Sequence, residues 1–131
     1  MTKIVRLLAG AMLASILTST QMANAAPSDY EFQLVQPETK SGEAILDVRL
    51  VDKRSGKTVP DAVIFAKRID MAPDGMETMS APIEELPSTE PGIYRFKAQI
   101  SMAGGWRLSL GAKVRGETGT VENQLVLKAG Q

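Results

Sequence analysis

From Tyr30 onward apolar residues return at every second position, the period of extended strands with one buried and one wet face. In "EAILDVRLVD", Ala44, Leu46, Val48 and Leu50 share a face, while Asp47 and Arg49 take the other. "GIYRFKAQI" sets Tyr94, Phe96, Ala98 and Ile100 against Arg95, Lys97 and Gln99. "WRLSLGAKVR" sets Trp106, Leu108, Leu110, Ala112 and Val114 against Arg107, Ser109, Lys113 and Arg115. "YEFQLVQ", "AVIFAKRI" and "TVENQLVLK" read as three more strands, and "KRSGK", "PSTEPG" and "RGETG" as turns between them. No stretch after residue 26 carries a helical period. The expected fold is all-β, an immunoglobulin-like antiparallel β-sandwich of about six to seven strands. The Cys-Trp-Cys signature of antibody domains is missing, so only the architecture is implied. Residues 69 to about 91 break the alternation and read as one long irregular segment.

The first residues obey a different logic. Lys3 and Arg6 precede the apolar run "LLAGAMLASIL", and Ala23-Asn24-Ala25 supplies a small-x-small cleavage site. That order reads as a secretory signal peptide over residues 1–25. The run is shorter than the roughly 20 residues that span a bilayer. No cysteine follows it, so lipid attachment there is excluded. The expected product is periplasmic or otherwise exported.

Removing 25 of 131 residues leaves 106, one domain's worth. Loss of Lys3 and Arg6 leaves 13 basic against 15 acidic residues, a net charge of −2. A nucleic-acid partner is not expected, because that function needs a concentrated basic face. There is no cysteine to staple the fold, so packing must hold it.

Histidine is absent too, which rules out histidine-based triads for Ser101 or Ser109. Glu84-Glu85 and the Asp70/Asp74 pair read as solvated acids, and Gly104-Gly105 is too short for a phosphate loop. Catalysis is not expected.

Methionine is the unusual residue. Met1, Met12 and Met22 lie in the leader, and the other four, Met71, Met76, Met79 and Met102, fall between residues 71 and 102. Thioether sulfur is a soft, neutral donor that among biological metals favours Cu(I), and it needs no deprotonation. Trp106 stands four residues beyond Met102, placed either for cation–π contact with a bound monovalent ion or for packing. The other reading of the four methionines is gap-filling in the core or an adaptable apolar patch for a protein partner.

The run from Gly56 to Leu110 resembles the YtkA-like domain, a relative of FixH. The matching residues are Gly56, Lys57, Val59, Ala62 and Ile64, then Met71 and Met76. Pro91, Gly92 and Tyr94 follow, and the closing M-x-G-x-W is Met102, Gly104 and Trp106. Ile64 stands where the family pattern has valine. The resemblance implies a YtkA-like β-sandwich domain over residues 26–131, exported or membrane-tethered. It also implies an association with copper or heavy-metal efflux, or with copper-oxidase assembly. Several relatives carry histidines in the loop; without them, Cu(I) or Ag(I) is the implied guest. The expected function is therefore non-catalytic binding or delivery of Cu(I)/Ag(I), with membrane efflux or oxidase-assembly proteins as partners. The alternative is a module that docks on a transporter or oxidase subunit without holding metal.

Overall fold

The computed structural model describes residues 29–131, so the signal peptide expected over 1–25 lies outside the described residues. Nine strands follow in chain order: β1 (Tyr30–Leu34), β2 (Glu38–Lys40), β3 (Gly42–Asp52), β4 (Val63–Met71), β5 (Met76–Ala81), β6 (Ile83–Leu86), β7 (Ile93–Ile100), β8 (Gly104–Lys113) and β9 (Val121–Gly130). They form two sheets, ordered β1-β3-β7-β6 and β2-β9-β8-β4-β5. Pairing is antiparallel except between β2 and β9. There is no α-helix among the described residues, and no helix long and apolar enough to cross a membrane.

The alternation sorts residues as expected. Ala44, Leu46, Val48 and Leu50 of β3 and Phe96, Ala98 and Ile100 of β7 are buried on one sheet. Trp106, Leu108, Leu110 and Ala112 of β8 meet them from the other. Phe32 and Tyr94 pack edge to face, with ring centroids 6.2 Å apart. Outward residues pair across strands: Arg95 grips Asp47 in two parallel hydrogen bonds, and Lys97 lies 2.9 Å from Glu84.

The segment 69–91 departs from the irregular loop expected. β4 continues to Met71, a 3-10 turn spans Ala72–Asp74, and β5 and β6 follow with only Pro82 between them. β5 closes the edge of the five-stranded sheet and β6 that of the four-stranded one, so the chain changes sheets at Pro82. Proline suits this point because it has no N–H to leave unpaired, while its carbonyl accepts the Gln99 N–H. Both strands are short and mostly exposed, so neither shows the buried-face alternation that marks the longer ones. β2, at three residues, is too short to carry a period at all.

Phe96 sits fully buried between the sheets with no disulfide to share the load. Phe96→Ala is expected to lower unfolding free energy by about 3–5 kcal/mol. Urea denaturation followed by the fluorescence of Trp106 measures it; a loss below about 1 kcal/mol would contradict this core placement.

Candidate functional site

The methionines gather at the end of the sandwich where β4 stops and β8 starts. Met71 closes β4 and pairs with Met76, the first residue of β5. The register slips just before that pair: Asp70 faces Ser80 while Met71 faces Met76. Residues 77–79, including Met79, therefore bulge from the edge, and Arg68 Nη2 donates to the Glu77 carbonyl at 2.9 Å. Met102 sits in the turn from β7 to β8.

Two glycines hold this end together. The Ala72–Asp74 turn lies directly on Gly104 and Gly105, and Asp74 Oδ2 accepts the Gly105 N–H at 3.1 Å. A β-carbon on Gly104 would collide with the Asp74 carboxylate and come within 2.8 Å of Met71 Cε. Gly104 also has φ +142, a conformation that side-chain-bearing residues avoid. A β-carbon on Gly105 would lie 2.9 Å from Pro73 Cβ. Gly75, at φ 76, then ends the turn and returns the chain to β5.

Asp70 anchors the loop from beneath. Its carboxylate is fully buried, accepts from Arg68 Nε at 3.1 Å and from Arg107 Nη2 at 3.0 Å, and takes the Ala72 N–H at 3.0 Å. Burial pushes its pKa up, but Arg107, the Ala72 N–H and Arg68 outweigh burial and hold it below the ordinary aspartate value. The bond to Ala72 forms an Asx-type turn that sets where Met71 ends and the 3-10 turn begins.

The four methionines are not equivalent. Met71 is fully buried within the hydrophobic core. Met76, Met79 and Met102 expose 36%, 40% and 43% of their surface. Trp106 is fully buried, and its Nε1–H donates to the Met102 carbonyl at 3.1 Å. Among the described residues no three His, Cys, Asp or Glu side chains are grouped to hold a metal.

Much of the M-x-G-x-W and P-G-x-Y pattern has structural causes. Trp106 ties down the turn through the Met102 carbonyl, and Gly104 makes room for Met71 and Asp74. At the opposite end the Tyr94 hydroxyl donates to the Val59 carbonyl and accepts the Ala62 N–H, clamping the entry to β4. Gly92, at φ 84, passes against Thr58 where a β-carbon would clash. The methionine side chains that reach solvent are left without such an explanation. Sequence reasoning confined the methionines to residues 71–102 but read Asp70 as a solvated acid, whereas it is fully buried, because an acid between Ile69 and Met71 looks like any outward strand residue.

The molecule is thus a disulfide-free β-sandwich with a methionine-bearing loop seated on a glycine pair. It belongs to the YtkA-like family, whose model matches residues 24–111. The match stops within β8, leaving β9 beyond it. Among solved structures the chain is similar to a DUF4426 family protein from Pseudomonas aeruginosa PAO1, with a TM-score of 0.52 and 15% identity over 76% of this chain and 86% of that one. It is also similar to the ZirS C-terminal domain, with a TM-score of 0.47 and 12% identity over 100% of this chain and 86% of that one. The first likeness is one of fold. No curated protein matches the sequence.

Gly104→Ala is expected to cost on the order of 3 kcal/mol from backbone strain and collision with Asp74. The check is a urea titration; an unchanged midpoint would mean that the 3-10 turn does not pack on this glycine.

Because the folded pKa of Asp70 is depressed, its stabilisation is complete above its unfolded value of about 3.9. It is lost as pH falls through the lower folded value. Asp70→Asn should lower stability at neutral pH by about 2 kcal/mol and flatten the fall in stability below about pH 4. Urea midpoints at a series of pH values report both effects. Parallel curves for the two proteins would rule out Asp70 as the source.

Proposed function

We propose that this chain is an exported, non-catalytic protein that binds or hands on Cu(I) or Ag(I) through methionine sulfur at the β4–β8 end. The observation that carries the reading is the exposure of Met76, Met79 and Met102, three flexible apolar side chains held at one end beside a glycine-anchored turn. A core role asks for burial, which Met71 has and the other three lack. Thioether donors with no histidine or cysteine anywhere in the chain select a soft monovalent ion over zinc or Cu(II). In this reading Met76, Met79 and Met102 are the surface ligands, and Met71 lies beneath them as the residue that sets their platform. The copper association implied by the YtkA-like resemblance, and the leader-like sequence of residues 1–25, support the same reading. Efflux or oxidase-assembly proteins at the membrane are the partners it implies.

Cu(I) titrated against a competing chelator should reveal one site that weakens at least about tenfold, or 1.4 kcal/mol, in Met76→Leu and Met102→Leu. Leucine keeps the apolar volume and removes the sulfur, so the fold is preserved. Equal affinity in both variants and the parent would exclude the methionines as ligands. It would leave the exposed end as a docking surface for a protein partner.

The pH dependence is a separate test. Thioethers do not titrate, so affinity at about pH 5 should match that at pH 7, with the chelator's own proton competition corrected. A tenfold drop with the circular dichroism spectrum unchanged would assign the ion to carboxylates instead.

A further inference from the structure

We infer that the exposed methionines are a reversible oxidation switch: peroxide-class oxidants convert Met76, Met79 and Met102 to sulfoxides while Met71 is spared. The inference starts from the division within the cluster. Three thioethers have about two-fifths of their surface in solvent, whereas Met71 has none and its methyl group is packed towards Gly104. Oxygen transfer needs the oxidant to reach the sulfur, so the three outer residues react from the folded state. Met71 reacts only when this end of the sandwich opens. In the reaction the sulfur lone pair attacks one peroxide oxygen and an S–O bond forms as the O–O bond breaks. The sulfur is oxidised by two electrons, and the second oxygen leaves as water.

The consequences differ by position. A sulfoxide on an outer methionine puts its polar oxygen into water and leaves the core untouched. At position 71 the same group would be buried in the hydrophobic core with no designed partner, at a desolvation cost. Outer oxidation is thus tolerated by the fold and reversible by sulfoxide reductases. Its chemical effect is a change of donor type: a soft sulfur becomes a group whose accessible donor is a hard oxygen, a poor match for Cu(I) or Ag(I). Oxidation switches the site off without unfolding the protein, and this last step rests on the metal-binding reading above.

The test treats the purified protein with hydrogen peroxide and maps oxygen uptake by peptide mass spectrometry. Cu(I) affinity is measured before oxidation, after it, and after reduction by methionine sulfoxide reductases. The expected pattern is +16-Da-class uptake at Met76, Met79 and Met102, with Met71 at least about tenfold slower in the folded protein and equal to them in denaturing urea. Circular dichroism should be unchanged. Affinity should fall at least about tenfold on oxidation and return on reduction. The triple variant Met76→Leu, Met79→Leu, Met102→Leu should take up oxygen within residues 29–131 only at the slow rate of Met71. Met71 oxidising as fast as the others in the folded protein overturns the selectivity. Unchanged affinity with all three oxidised overturns the switch. If the untreated protein binds no Cu(I), the metal-binding reading fails and the switch with it, while the uptake pattern still decides whether these three residues are the oxidation sites.

Discussion

Two sheets must bury their apolar faces against each other, and nothing covalent helps them. With no cysteine in the chain, the fold rests on Phe32, Leu50, Phe96, Ile100, Trp106 and Leu108 meeting between the layers. Each fully buried side chain of this size contributes roughly 1.5–3 kcal/mol relative to exposure. The strict alternation along β3, β7 and β8 follows from that demand, because a one-residue slip in register would turn every apolar side chain to water. The surface pairs, such as Arg95 with Asp47, lie on the wet face and add little by comparison.

The ends of such a sandwich are harder to finish than its middle. At the β4–β8 end the solution is close backbone approach. Gly104 and Gly105 have no side chain, so the Ala72–Asp74 turn settles onto them and Asp74 takes the Gly105 N–H. Asp70 secures the other side of the turn, with two arginines offsetting the cost of burying its charge. At the far end Tyr94 does comparable work with its hydroxyl, bridging the Val59 carbonyl and the Ala62 N–H. Gly92, Gly104, Tyr94 and Trp106 of the family pattern are therefore explained by closing the two ends.

The division among the methionines follows from the same construction. The glycine-seated turn fixes the chain just after Met71 and the Asp70 carboxylate just before it, while the register slip pushes residues 77–79 out from the sheet edge. A buried thioether and three exposed ones thus occupy one end of one domain. The same arrangement that makes Met71 a packing residue makes Met76, Met79 and Met102 accessible to a soft ion or an oxidant. Trp106 reinforces it from the core, holding the Met102 carbonyl while its ring stays out of solvent.

The all-β class and the inward faces of β3, β7 and β8 were legible in the sequence, because period two over eight or more residues has few other physical explanations. The confinement of the last four methionines to residues 71–102, and the absence of histidine and cysteine, were equally plain there. β5 and β6 were not legible: both are short edge strands with little buried surface, so their residues face no demand for alternation. Nor did the sequence separate Met71 from Met76, Met79 and Met102, since a thioether reads the same in a core as on a surface. Tertiary structure made that separation, through the pairing of Met71 with Met76 and its approach to Gly104. It also turned Asp70 from an ordinary polar strand residue into a buried anchor. Arg68 is two residues from it in the chain, but Arg107 is 37 away, and only the pairing of β4 with β8 brings that second guanidinium to the carboxylate.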